Sequence, residues 1–211
     1  MLLLALAIAP GLAICIYVLY HDVYNREPAI NMIMSFFWGM LCIIPAVFME
    51  RLVYPLFGNS IAEIIASAFF AVALIEESAK FLILRTYSFT RRSFDEPLDG
   101  IVYSILVSMG FAMVENVFYV QQHGFQVAFL RMFTSVPAHA TFAIIMGYYT
   151  GKAKFDRKRR TYLLTKGLAG AVLAHGMYDV FLLLGENSWI KQNVSDALLF
   201  AGALASLYIA I

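Results

Sequence analysis

Charge is scarce in this sequence: 14 % of its 211 residues are Asp, Glu, Lys or Arg, against about 25 % in an ordinary soluble domain. With 62 % hydrophobic residues and a mean hydropathy of +0.76, the chain belongs in a lipid bilayer. No sign of charge dominates either, and a formal net charge of +1 offers no basic surface to nucleic acid and no acidic substrate preference. Cysteine is nearly absent. Cys15 and Cys42 both fall in apolar runs, which excludes a disulfide framework and a Cys-rich metal site and leaves them a packing role. Long polar connections are missing too: the longest are about a dozen residues, too short for a soluble domain, so residues 1–211 read as one integral membrane domain. Residues 1–20 lack a basic leader and a small-residue cleavage site, so this run is expected to remain as a spanning helix.

What the chain does have is apolar runs of membrane length. A helix needs about 20 residues to cross the hydrocarbon core, and such runs lie near 1–20, 31–53, 61–84, 98–120, 126–150, 162–184 and 194–211. The expected fold is an all-α polytopic transmembrane bundle of about seven spanning helices, within a range of roughly six to eight. Basic residues sort the connections. Arg85, Arg91 and Arg92 follow the third run, and Lys152, Lys154, Arg157, Lys158, Arg159 and Arg160 follow the fifth. That bias places both loops in the cytoplasm and the N-terminus outside, with connections 55–60, 121–124 and 185–192 facing outward. Fixing topology is sufficient explanation for the basic loops. No internal repeat is evident, which disfavours the inverted-repeat transporters.

Several ionisable residues interrupt the runs. Glu76, Glu77 and Lys80 lie inside 61–84, where each charge near the bilayer centre costs about 2.5–3.5 kcal/mol. Lys80 follows Glu76 by four residues and Glu77 by three, so its ammonium reaches either carboxylate along the helix surface. Adjacent residues point about 100° apart, so the two glutamates are expected to divide their work, one meeting substrate and the other pairing with Lys80. Glu115 and Asn116 follow Phe111 in the fourth run. Arg131, Ser135 and His139 recur at intervals of four and share a face if one helix carries them. His175 and Asp179 are again four apart, beside Gly176, where a backbone can approach closely.

Plainer explanations exist for single members of this set. Ser135 and Asn116 are of the kind that hydrogen-bonds neighbouring helices. An isolated membrane histidine can be simply a satisfied polar group. Arg131, near the outer interface, is expected to snorkel, and Asp179 to orient His175. The paired glutamates resist such explanation, because neutralising one still leaves the other buried.

Three carboxylates and two histidines in a wet cavity can activate water for peptide hydrolysis by two routes. In one, some of Glu115, His139 and His175 hold a divalent metal such as zinc while Glu76 or Glu77 takes the proton from water. In the other, a buried glutamate acts directly as base and then acid, with a histidine and Asn116 stabilising the oxyanion. No H-E-x-x-H motif is present to decide for zinc. Ser135 lacks the G-x-S-x-G context of a serine nucleophile, and Asp99 and Asp179 make a poor aspartyl pair.

In order along the chain, Glu76-Glu77-Ser78-Ala79-Lys80 resembles the E-E-x-x-K motif of the PrsW family. Phe111 to Glu115 and Asn116 resemble its F-x-x-x-E-N element, Ser135 and His139 its histidine-bearing span, and His175-Gly176 to Asp179 its H-G-x-x-D. Pro97-Leu98-Asp99-Gly100-Ile101 is similar to the segment opening the helix of the third glutamate. Each motif is short, but the ordered set covers about half the chain and is specific. The resemblance implies an intramembrane protease, related to the CAAX prenyl endopeptidase and bacteriocin-processing group, in a bacterial plasma membrane. It implies Glu76, Glu77, Glu115, His139 and His175 as catalytic, with Lys80, Asn116, Ser135 and Asp179 supporting. It also implies a substrate: a single-pass anti-sigma factor entering from the lipid, cut at an extracytoplasmic position as the first step toward sigma-factor release.

That position sits awkwardly with the topology, because Glu76 lies about 15 residues, or roughly 22 Å, from the outer end of its run. Either a water-filled cavity reaches down to it or the helix starts later or tilts. Two other functions compete. A proton- or ion-coupled transporter uses the same residue types, and a non-catalytic scaffold would present the Gly147 and Gly151 face to a partner helix.

Overall fold

The computed structural model describes residues 2–22 and 25–210, and the secondary structure among them is helical throughout. Backbone groups in lipid must find partners within their own segment, which helices provide. The elements are α1 (Leu2–His21), α2 (Ala29–Val53), α3 (Ile61–Ser67), α4 (Leu74–Thr86), α5 (Pro97–Phe133), α6 (Ser135–Phe155), α7 (Arg160–Leu184), α8 (Ser188–Asn193) and α9 (Asp196–Ala210). Among the described residues, four stretches are long and apolar enough to cross a membrane: Leu2–His21, Ala29–Leu56, Pro97–Phe155 and Arg160–Leu184. The expected count of about seven therefore does not follow from length and apolarity alone. The run 61–84 is helical but charged, and α9 is shorter than a span.

The bundle is built around α5, in which residues 102–113 are buried on every side. Pro97 opens it at a position where the missing N–H is not needed, and Asp99 Oδ2 accepts from the backbone N–H of Asp95 and Glu96 at 2.8 and 2.9 Å. Against α5, α6 runs antiparallel: Gly100 meets Gly147 and Gly151, while the Ser108 hydroxyl donates to the His139 carbonyl at 3.0 Å. A Cβ on Gly151 would lie 2.0 Å from the Pro97 carbonyl oxygen. The Gly147 and Gly151 face is thus consumed inside the chain and is not available to a partner helix. On the other side, α2 packs on α5, and α7 covers α6. Ile16, Tyr20, Ile44 and Phe48 point outward, as a lipid-facing surface requires.

Two breaks shape the helices that carry the site. As expected, the chain turns at 121–124: Gly124, whose φ of 76° only glycine adopts without penalty, divides α5 into two helical segments, and Gly100 with Gly147, Ser108 with His139 and Asn116 with Arg131 pair across the turn as a hairpin. The returning segment leaves helical geometry at Thr134 and continues as α6. Arg131 and His139, on either side of that interruption, both reach Glu115.

The second break lies ahead of the paired glutamates. Ser60 caps α3 with a reciprocal bond pattern, accepting from Glu63 N at 3.3 Å while Ser60 N donates to Glu63 Oε2 at 3.1 Å. The rod then widens into a π-helical segment, Ala68–Ala73, before continuing as α4. A π turn shifts the face presented by everything after it and is common at functional sites. Here it sets the direction of Glu76 and Glu77.

Candidate active site

The polar residues of the four runs converge. Lys80 Nζ donates to Glu76 Oε2 at 3.0 Å and to Glu77 Oε1 at 2.8 Å, and it lies 3.2 Å from His139 Nδ1. Spacings of three and four along α4 make both pairings possible from one helix. Burial makes them necessary, since Glu77 and Lys80 are only 1 % and 2 % exposed. The ammonium also sits 4.2 Å from the centre of the Phe111 ring.

His175 is held from both sides. Its Nδ1 is 2.9 Å from Glu77 Oε1 and its Nε2 is 3.1 Å from Asp179 Oδ2, so Asp179 does orient the ring as its spacing implied. Phe142 stacks on the imidazole at 4.7 Å. Beside it, Gly176 lets α7 lie against the π segment: a Cβ there would come within 2.3 Å of Phe69 Cδ1.

A second arm runs through His139. Its Nε2 is 2.8 Å from Glu115 Oε2, whose other oxygen is 2.8 Å from Arg131 Nη2. Arg131 Nε donates to Asn116 Oδ1 at 2.7 Å, and the guanidinium lies 4.0 Å from the Tyr119 ring. Arg131 therefore does not snorkel. The turn at Gly124 brings it back to Glu115, where it balances a carboxylate that would otherwise stand uncompensated.

A cavity of about 830 Å³ opens onto these groups. Glu76, Glu115, Ser135, His139, His175 and Asp179 line its inner part, and Arg51, Pro55, Gln122 and Glu186 lie toward its other end. Those last four belong to, or adjoin, the three connections expected to face outward. Glu77 and Lys80 stand behind the wall. Glu76 faces the cavity and Glu77 the interior, and Lys80 is held by both, not by one alone as expected.

The donor set fits a divalent metal. Glu76, Glu77, His139 and His175 each offer a ligand atom within 4.8 Å of the others, and two imidazoles with two carboxylates suit zinc. Glu115, expected in the metal set with the two histidines, lies outside this group, since its oxygens serve His139 and Arg131. The Lys80 ammonium stands among three of the four donors and already supplies positive charge there.

One cavity residue escaped the sequence reading. Glu50, in the last turn of α2, lines the space, and its Oε1 is sealed from solvent without a hydrogen-bond partner among the described residues. Beside Arg51 at the end of an apolar run, it has the look of an interfacial charge pair. Its position on the same helix as the cavity-lining Ile43 and Val47, at spacings of seven and three, is the only signal that could have found it.

Residues 27–209 match the family described as PrsW family intramembrane metalloprotease. The chain is 39 % identical over 188 residues to a Geobacillus kaustophilus protein named Protease PrsW, covering 89 % of this chain and 82 % of that one. It is 37 % identical over 189 residues to the Bacillus subtilis protein of the same name, covering 89 % and 85 %. A Clostridioides difficile relative, also named Protease PrsW, is 37 % identical over 196 residues, covering 89 % and 81 %. No solved structure matches the chain significantly.

Proposed function

The chain belongs to the PrsW family of intramembrane metalloproteases, and we propose that it hydrolyses a peptide bond of a single-pass anti-sigma factor inside the cavity. One observation carries this reading: Glu76 and Glu77 from α4, His139 from α6 and His175 from α7 gather within 4.8 Å beside a cavity large enough for an extended peptide segment. Glu76, which faces the cavity, takes the proton of the attacking water and returns it to the leaving amine. Glu77, His139 and His175 would hold a zinc ion, which when bound acts as a Lewis acid on water and the scissile carbonyl. Asn116 holds Arg131, Arg131 holds Glu115, Glu115 holds His139, and Asp179 holds His175, so both imidazoles keep one orientation. Ser135, on the cavity wall, is placed to hydrogen-bond a substrate backbone.

The cavity also relieves the depth problem. It joins Glu76 to the connections 55–60, 121–124 and 185–192, which hold a single Lys or Arg, Lys191, so water and substrate reach the glutamates from the extracytoplasmic side. We read residues 1–211 as one domain of about seven crossings in a bacterial cell membrane, with the 61–86 rod and α9 as crossings despite charge and shortness. Ion-coupled transport is not favoured, since the family is one of proteases.

The test is reconstitution of the chain with a tagged single-pass anti-sigma factor in liposomes. The substrate is cut toward its extracytoplasmic end, a chelator stops cleavage and zinc restores it. An intact substrate in the presence of correctly inserted protein would sink the proposal.

A further inference from the structure

At the end of the bundle remote from the cavity, four carboxylates gather, three buried and that of Glu96 half-buried. Asp22 follows α1, Glu27 precedes α2, and Glu96 and Asp99 form the start of α5. Asp99 precedes Glu115 by sixteen residues on α5, which places this end roughly 24 Å from the active site. Asp22, Glu27 and Asp99 are 2 %, 4 % and 0 % exposed. None of the four carboxylates enters an ion pair among the described residues.

Each uses at most part of its bonding capacity. Asp99 Oδ2 caps α5, Asp22 Oδ2 accepts from Glu27 N at 3.4 Å, and Glu27 Oε2 accepts from the Tyr103 hydroxyl. Asp22 Oδ1, Glu27 Oε1, Glu96 Oε1 and Asp99 Oδ1 are sealed from solvent with no hydrogen-bond partner among the described residues. Lys154, the cation packed at this end, instead donates to the carbonyl oxygens of Phe89 and Arg91 at 2.6 and 3.1 Å. Burying several ionised carboxylates without partners is unfavourable unless protons neutralise them or a positive charge joins them.

Asp22, Glu96 and Asp99 each present an oxygen within 4.8 Å of the other two. Oxygens on opposite sides of one calcium ion lie roughly 4.6–5.2 Å apart, twice the metal–oxygen distance, so a single ion can touch all three. We propose that Asp22, Glu96 and Asp99 bind a hard divalent cation, calcium or magnesium, that pins the end of α1 to the start of α5. Glu27 lies close enough in sequence and burial to complete the oxygen shell. All donors are oxygen, which distinguishes this site from the imidazole-containing cluster in the cavity. The assignment does not depend on the protease reading.

The test is titration of the full chain in zwitterionic lipid nanodiscs with calcium and with magnesium separately, followed by calorimetry and thermal unfolding. Three variants are compared with the parent: Asp22→Asn, Glu96→Gln, and Glu77→Gln with His139→Ala, which dismantles the cavity cluster. A saturable binding event is expected with at least one ion, kept within about twofold by the cavity variant and weakened at least tenfold by Asp22→Asn and by Glu96→Gln. Without ion, Asp22→Asn should melt no lower than the parent, because the amide removes an uncompensated charge while preserving shape. The proposal is overturned if neither ion saturates by about 10 mM, above the range of weak all-oxygen sites. It is equally overturned if binding follows the cavity variant instead of Asp22, or if ion-free Asp22→Asn melts below the ion-free parent, since the Asp22 charge would then already be compensated.

Discussion

Lys80 is the residue on which the charge balance of the site turns. It is bonded to both glutamates and touches His139, so Lys80→Met leaves two buried carboxylates without their counter-ion. Loss of one partner from a buried pair destabilises by about 3–5 kcal/mol, and denaturant unfolding in detergent should show a loss of that order. Asp179→Asn is a milder change. It keeps an oxygen near His175 Nε2 but removes the charge, and cleavage should fall by about 10–100-fold, as for other groups that orient a ligand, with the melting temperature nearly unchanged. At this scale much was legible in the sequence. Spacings of three and four fix Glu76, Glu77 and Lys80 on one helix and tie His175 to Asp179. Arg131 was misread as snorkelling because its partner Glu115 comes from the other arm of the hairpin, and Glu50 was missed because it sits beside Arg51 at the end of an apolar run.

At the scale of elements, the decisive feature is the contact between α7 and the π segment. Gly176→Ala drives a methyl into the Phe69 ring, and overpacking of this kind costs about 1–3 kcal/mol. Because Phe69 lies in the segment that aims Glu76 and Glu77, cleavage should drop along with stability. Phe69→Leu in the same chain should recover both, a coupling that a double-mutant cycle measures. The helices themselves were visible as apolar runs, and the pairing of α5 with α6 was foreshadowed by small residues at Gly100, Gly147 and Gly151. The π segment was not, since Ala68–Ala73 reads as an ordinary apolar stretch. The turn at Gly124 was legible, since the polar connection 121–124 separates two apolar runs.

At the scale of the whole molecule, Glu76 and Glu77 of α4, Glu115 of α5, His139 of α6 and His175 and Asp179 of α7 are gathered around one cavity and reached from one end. The purified chain is expected to carry about one zinc per chain, and His139→Ala and His175→Ala to lose it, as elemental analysis would show. The cavity could not be read from sequence, because it is enclosed by residues from α2, α5, α6 and α7 whose meeting depends on packing. Once formed, it accounts for how a glutamate deep in a helix meets water. The most direct test of that role is single-turnover cleavage of a reconstituted single-pass substrate by the parent chain and by Glu76→Gln, which removes the proton acceptor while preserving shape. Glu76→Gln is expected to cut at least about 100-fold more slowly at an unchanged melting temperature. Cleavage at the parental rate would contradict the assignment of Glu76 and of the hydrolytic centre built around it.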